Sequence, residues 1–237
     1  MKPFQEIPPV NLTLEEESNL AWDEMSKNYW WYEEGKRNHL PPSFEKFYSE
    51  HLDKFKDVLD IGGGTGKFAI PMSQDGLDVT LLEPSPGMRK GAQINLEKAK
   101  KSLRGKVRVV NGESKHLDFP EASFDLLFSK GAIHHNLWEG IRQSFREVKR
   151  VLRLGGIFIF QGRSTKDFAL LDAERIQDTG ITAKDKKGWK KGVIQHYFTK
   201  EELEQLAKEN GFEIVVESEE RIKEDGNARW WVVYRKI

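Results

Sequence analysis

The chain has no cysteine in 237 residues, which excludes disulfides, thiolate zinc sites and a cysteine nucleophile. It has no charge surplus either: Lys plus Arg and Asp plus Glu each number 38, for a formal net charge of +0. A dedicated nucleic-acid binder carries a basic excess, so this balance argues against a nucleic-acid partner, a local basic patch aside. Long apolar runs are missing as well. No stretch approaches the ~18 residues of a membrane helix, and the opening MKPFQEIPPVNLTLEEESNL has no signal-peptide core. The expectation is a cytoplasmic protein with no membrane partner and no metal centre. What is present is 38% hydrophobic and 11% aromatic residues, ample for the core of one α/β domain with appendages or two small domains.

The chain is organised around residues 57–72, DVLDIGGGTGKFAIPM. Val58, Leu59 and Ile61 mark a strand, and Lys67 begins a helix. Between them lie Gly62, Gly63, Gly64 and Gly66. Glycines here permit positive φ and let a ligand approach bare backbone, while the helix start presents free N–H groups. The stretch is a binding site for a polar small molecule at the carboxyl end of a strand.

Around it, strand and helix signals alternate. A helix from Thr13 and the aromatics Tyr29, Trp30, Trp31 and Tyr32 precede the domain, as packing or as a cover over the ligand pocket. Strands follow at 77–84 (ending in Glu83), 106–114, from 124, and at 157–161, with helices at 85–103 and 137–152 between them. Thr199 and Glu202 form a capping box for a helix that Gly211 ends. Two closing strands, 212–222 and 228–237, are joined by so short a turn that they must be antiparallel. Such alternation implies a doubly wound α/β sheet of about seven strands with one reversed. Residues 1–44 are expected as an N-terminal helical cap segment and 45–237 as the domain, with an unpatterned insertion at 163–198.

The glycine spacing selects among ligands. A dinucleotide fingerprint places its third glycine where this chain has Lys67, so it fails by one residue. A phosphate loop fails too, because Phe68 follows Gly66-Lys67. Lys67 is therefore read as a solvated helix residue. What fits is D-x-G-x-G-x-G, as Asp60, Gly62, Gly64 and Gly66. With Glu83 ending the second strand, Gly112-Glu113-Ser114 ending the third, Phe124-Asp125-Leu126-Leu127 and the run REVKRVLRLGG at 146–156, the chain resembles the class I S-adenosylmethionine-dependent methyltransferases, of the small-molecule, ubiquinone-biosynthesis-like type. The likeness covers residues 55–162 and the final strand pair.

The resemblance implies a Rossmann-like seven-stranded sheet in the order 3-2-1-4-5-7-6, with the last strand antiparallel. It implies S-adenosylmethionine as cofactor, its methionine end near Gly62 and Ser129 and its ribose diol on Glu83. The adenine would lie between the Glu83-Pro84 turn and Glu113-Ser114. Met88 is a candidate adenine contact or a core residue, and Asp60, Gly63 and Lys130 complete the expected cofactor set. Glu113 stands where the family more often has aspartate.

Methyl transfer from a sulfonium needs chiefly alignment and exclusion of water. A base is required only for a nucleophile protonated at neutral pH. Candidates on the loop after the fourth strand are Lys130, His134, His135 and Asn136. The histidines titrate near neutrality and are read as a base or as local loop contacts. His196, beside Tyr197 and Phe198, is a further catalytic candidate, with packing as its alternative. The loop reads Ser129-Lys130-Gly131-Ala132, without the [NDS]-P-P-[YFW] run that resemblance would require for base methylation of nucleic acid. The main expectation is a small-molecule acceptor. The alternatives are a tRNA or protein methyltransferase docking through the basic run 184–191, and a non-catalytic cofactor-binding partner subunit. The methyl acceptor, the accepting atom and the oligomeric state are not encoded legibly.

Overall fold

The computed structural model describes residues 13–26, 40–176, 181–184, 192–221 and 226–237. The expected cover at Tyr29–32 and most of the basic run 184–191 lie outside them. Strand β1 (Asp57–Ile61) sits at the centre of the sheet because Val58, Leu59 and Ile61 bury on alternating faces. β2 (Asp78–Leu82) and β3 (Val107–Val110) extend the sheet in parallel on one side. β4 (Phe124–Lys130) and β5 (Leu152–Ser164) extend it in parallel on the other. Past β5 come β10 (Ala228–Lys236), antiparallel to it, and β9 (Phe212–Arg221), antiparallel to β10. The path β3-β2-β1-β4-β5-β10-β9 is the expected 3-2-1-4-5-7-6 with the last strand antiparallel.

Helices cover both faces. On one, α2 (Pro42–His51), α3 (Ala69–Gln74) and α4 (Pro86–Ala99) bury Phe44, Phe47, Met72 and Ala92. On the other, α5 (Trp138–Val151) and α7 (Lys200–Asn210) bury Phe145, Val148, Leu203 and Leu206. The capping box of Thr199 and Glu202 heads α7, and Gly211 ends it at φ +64°. No described helix is long and apolar enough to cross a membrane.

Several expectations need correction. The insertion 163–198 is not a bare loop. It carries a short helix, α6 (Ala169–Asp172), and three strands, β6 (Glu174–Arg175), β7 (Ile181–Lys184) and β8 (Ile194–Phe198), so the described sheet has ten strands rather than seven. β4 ends at Lys130, opposite Gln161, and β8 takes the vacated side of β5, pairing Tyr197 with Arg163. Every residue of β8 is buried, so it lacks the alternation that marks a half-exposed strand. Expected strand 157–161 is the middle of the longer β5, whose beginning bends at Gly155, φ +74°. The boundary drawn after residue 44 falls inside α2, whose Phe44, Phe47 and Tyr48 belong to the core. Lys67 lies half-buried in the turn before α3, not on a solvated helix.

Candidate active site

The glycine turn closes β1 onto β2. Gly62 and Gly63 N–H both donate to the Leu82 carbonyl, at 2.7 and 3.1 Å, and the buried Asn95 side chain donates to Thr65 O at 2.9 Å. Gly64 has φ +55°, and a Cβ placed on it would meet nothing within 4 Å. It borders open space. Its N–H donates to Glu83 Oε2 at 3.0 Å, and the Ser85 N–H donates to Oε1 at 2.9 Å. Burial pushes the Glu83 carboxyl up to about 6, against these two backbone bonds and the Arg89 charge. Each carboxylate oxygen keeps acceptor capacity beyond its single backbone bond, enough for a diol.

Above the turn lies a cavity of about 550 Å³. That is within the range of small-molecule and cofactor sites. Gly62, Gly64, Glu83, Pro84, Met88, Gly112, Glu113 and Ser114 line it, eight of the residues expected to hold cofactor. Asp60, Gly63, Gly66, Ser129 and Lys130 do not. Asp60 is buried under the turn, and desolvation first and the Glu83 charge second raise its carboxyl to about 7. Ser129 is fully buried. Lys130 lies over the Phe68 ring, 5.0 Å from its centroid, where desolvation, Arg229 and Lys67 lower it to about 8.

The three histidines part company. His135 lines the cavity beside Asn136. Its Nδ1–H donates to the Ile194 carbonyl on β8 at 2.9 Å, and since a carbonyl only accepts, the neutral ring carries its lone pair on Nε2. His134 is buried with its ring 4.1 Å from that of His135, off the cavity wall. His196 is fully buried, with Nδ1 2.8 Å from Thr182 Oγ1, Nε2 3.3 Å from Glu202 Oε2 and its ring stacked on Trp138. It fastens β7, β8 and α7 together and does not line the cavity.

An N-terminal helical cap is expected from the sequence, but not which of its residues form a wall of the cavity. Helix α1 (Leu14–Ser26) contributes Glu16, Asn19, Leu20, Trp22 and Asp23 to the cavity. Asp23 Oδ1 accepts from Ser85 Oγ at 2.9 Å and Gly87 N at 3.2 Å, at the start of α4. Buried Ser18 accepts from Ile194 N at 3.3 Å, and the Trp22 ring stands edge-on to His135 at 4.8 Å. A recognisable signal existed: Glu16, Asn19, Leu20 and Asp23 recur at i, i+3, i+4 and i+7. The stripe is mostly polar, so it reads as solvated.

Comparison with known proteins agrees with this geometry. Residues 59–160 match the family described as methyltransferase domain. The chloroplastic 2-methyl-6-phytyl-1,4-hydroquinone methyltransferase 2 of Oryza sativa subsp. japonica is 33% identical over 141 residues, 59% of this chain and 36% of that protein. This chain thus spans little more than a third of that relative's length. A methyltransferase structure from Methanosarcina mazei superposes with TM-score 0.69 at 19% identity, over 84% of this chain and 99% of that one. The Burkholderia thailandensis 1,6-didemethyltoxoflavin-N1-methyltransferase, with bound 1,6-didemethyltoxoflavin and S-adenosylhomocysteine, gives 0.67 at 19%, over 97% and 92%. At such identities the structural likeness speaks for the fold, and the family match speaks for the glycine turn, Glu83 and β4 that it spans. Residues 59–160 are thus similar to a methyltransferase domain, on a fold shared with S-adenosylmethionine-dependent methyltransferases.

Proposed function

We propose that this chain transfers the methyl group of S-adenosylmethionine to a small-molecule acceptor by in-line displacement. The observation that carries the reading is that His135 and the Gly64–Glu83 pair line one cavity. The bound cofactor would supply a methyl already activated on a sulfonium. Glu83 would hold the two ribose hydroxyls, the turn at Gly62 and Gly64 the amino-acid end, and Pro84, Met88 and residues 112–114 the adenine. His135 Nε2 takes the acceptor's proton where the nucleophile carries one. Helix α1 excludes water from the same space.

A small-molecule acceptor is supported by the relatives' own named substrates, a hydroquinone and 1,6-didemethyltoxoflavin. Docking of RNA or protein through the basic run finds less support, since Lys184 is paired with Glu17 of α1 at 2.7 Å. Calorimetry with S-adenosylmethionine tests the core of the proposal: the native chain binds, and Gly64→Arg and Glu83→Ala weaken binding sharply. A native chain that does not bind overturns it. Methyl transfer across a panel of phenols, azoles and amines then identifies the accepting atom.

A further inference from the structure

We propose that Arg89 is a positioning residue that sets the adenosine-binding slot, by tying the carboxyl end of β2 to that of β3. The proposal deepens the cofactor assignment above and rests on it. Arg89 stands four residues after Ser85, the N-cap of α4. Its Nη1 shares its two hydrogens among three acceptors, the Glu83 carbonyl at 2.7 Å, the Pro84 carbonyl at 2.6 Å and Asn111 Oδ1 at 2.7 Å. Two acceptors belong to the turn after β2 and the third to the segment after β3. The ladder between those strands runs only to Leu82 and Val110, with one further bond from Glu83 N to Val110 O at 3.1 Å. Beyond that point the chains diverge into the two sides of the slot, and Arg89 bridges them.

Arg89 does not line the cavity, so it acts through what it holds. Fixing the Glu83 carbonyl fixes the peptide plane from which the Glu83 side chain departs, and with it the direction of the carboxylate. Holding Asn111 places the adjacent Gly112 and Glu113, which form the facing wall. The guanidinium charge also favours the ionised form of Glu83, the form that accepts from a ribose diol. Water replaces these bonds at a half-exposed site when the donor is removed, so the fold itself depends little on them.

The test uses the full chain, with S-adenosylhomocysteine and adenosine as calorimetric probes. Arg89→Met keeps the stem and drops the donors, and is expected to weaken both ligands by about tenfold. The melting temperature of the unliganded chain should move by no more than about 4 °C. In steady state, KM for S-adenosylmethionine rises by about tenfold while kcat stays within about twofold. In a Glu83→Ala background the same substitution costs only about threefold in S-adenosylhomocysteine affinity, the share of the Asn111 link, because the carboxylate it positions is gone. Asn111→Ala removes the link to β3 alone and should weaken adenosine by about threefold, which keeps the idea testable if Arg89→Met folds poorly. Wild-type protein that binds neither ligand defeats the cofactor assignment. Wild-type binding with Arg89→Met unchanged, or a loss undiminished without the Glu83 carboxylate, defeats the positioning role alone.

Discussion

A Cβ added to Gly62 would stand 2.2 Å from the Cβ of Ala132. The turn after β1 and the loop after β4 therefore touch through a side chain that is missing, and this contact brings the cofactor side of the cavity against the loop that carries His135. Gly62 also has φ +68°, a region that side chains resist. Gly64 shares the positive φ but faces open space. The two alanine variants should separate accordingly. Gly62→Ala combines backbone strain with a clash and is expected to lose roughly 2–4 kcal/mol of stability together with activity. Gly64→Ala carries roughly 1–2 kcal/mol of strain and pushes a methyl into the cavity, so ligand affinity suffers more than the fold. Thermal melts and calorimetry on both variants check this, and a Gly62→Ala protein that melts and binds like the parent would refute the contact.

Cofactor affinity should fall in acid through Glu83. Its carboxyl is raised from 4.5 to about 6 by burial, so the sign runs two ways. In the unliganded fold, the stability this group contributes is present below pH 4.5 and lost as pH rises through about 6. For binding, hydroxyl donors need the ionised form, so S-adenosylhomocysteine affinity is flat above about pH 7 and declines toward tenfold per unit below about 6. Glu83→Gln should bind weakly and without that slope. Calorimetric titrations from pH 5 to 8 on both proteins read the difference; a slope that survives in Glu83→Gln assigns it to another group.

The histidines make contrasting predictions. His135 lines the cavity with its Nδ1 held by the Ile194 carbonyl, whereas His196 is fully buried with its two nitrogens beside Thr182 and Glu202. With an acceptor whose nucleophile is protonated, His135→Gln should lower kcat by about 10²–10⁴ while cofactor affinity changes little. His196→Leu should instead lower the melting temperature, through loss of roughly 1–3 kcal/mol at a buried polar site, and keep kcat near the parent's. Steady-state rates and melts on the two variants decide it, and reversed effects would exchange the two roles.

What was legible in the sequence was local. The glycine turn and Glu83 follow from short-range signals, and the strand order from the family resemblance that those signals carry. The Asp125 of the F-D-L-L run shows why such a run persists in a fold, since it accepts from Lys56 N and Asp57 N at 3.1 and 3.0 Å and pairs with Arg153 at 2.6 Å. In the same way Arg150 donates to the Leu117 and Phe119 carbonyls, fastening the loop that follows β3. What stayed hidden depends on distance along the chain. β8 exists because β4 ends early and leaves β5 a free side, a fact of register that no window of residues displays. Helix α1 turns its polar stripe to the cavity and to the start of α4, partners sixty residues away in sequence. A polar face bound to polar groups cannot be told from a polar face in water.

That latch gives the last prediction. Asp23 joins α1 to Ser85, and the same Ser85 donates its N–H to Glu83, so a chain of two residues links the helix over the cavity to the carboxylate beneath it. Asp23 also caps the start of α4 by accepting from Gly87 N, a position where a carboxylate is favoured by the helix dipole. Asp23→Asn keeps an acceptor but removes the charge, and Asp23→Ala removes both. The alanine variant is expected to cost about 1 kcal/mol of stability as a lost cap. It should also speed release of S-adenosylhomocysteine by about tenfold, with a smaller change in association, because affinity differences between related complexes reside mostly in dissociation. The asparagine variant should fall between. Stopped-flow displacement of S-adenosylhomocysteine measures the release rate directly. If Asp23→Ala releases it no faster than the parent while α4 is measurably destabilised, Asp23 is a helix cap alone and α1 is a fixed wall of the cavity.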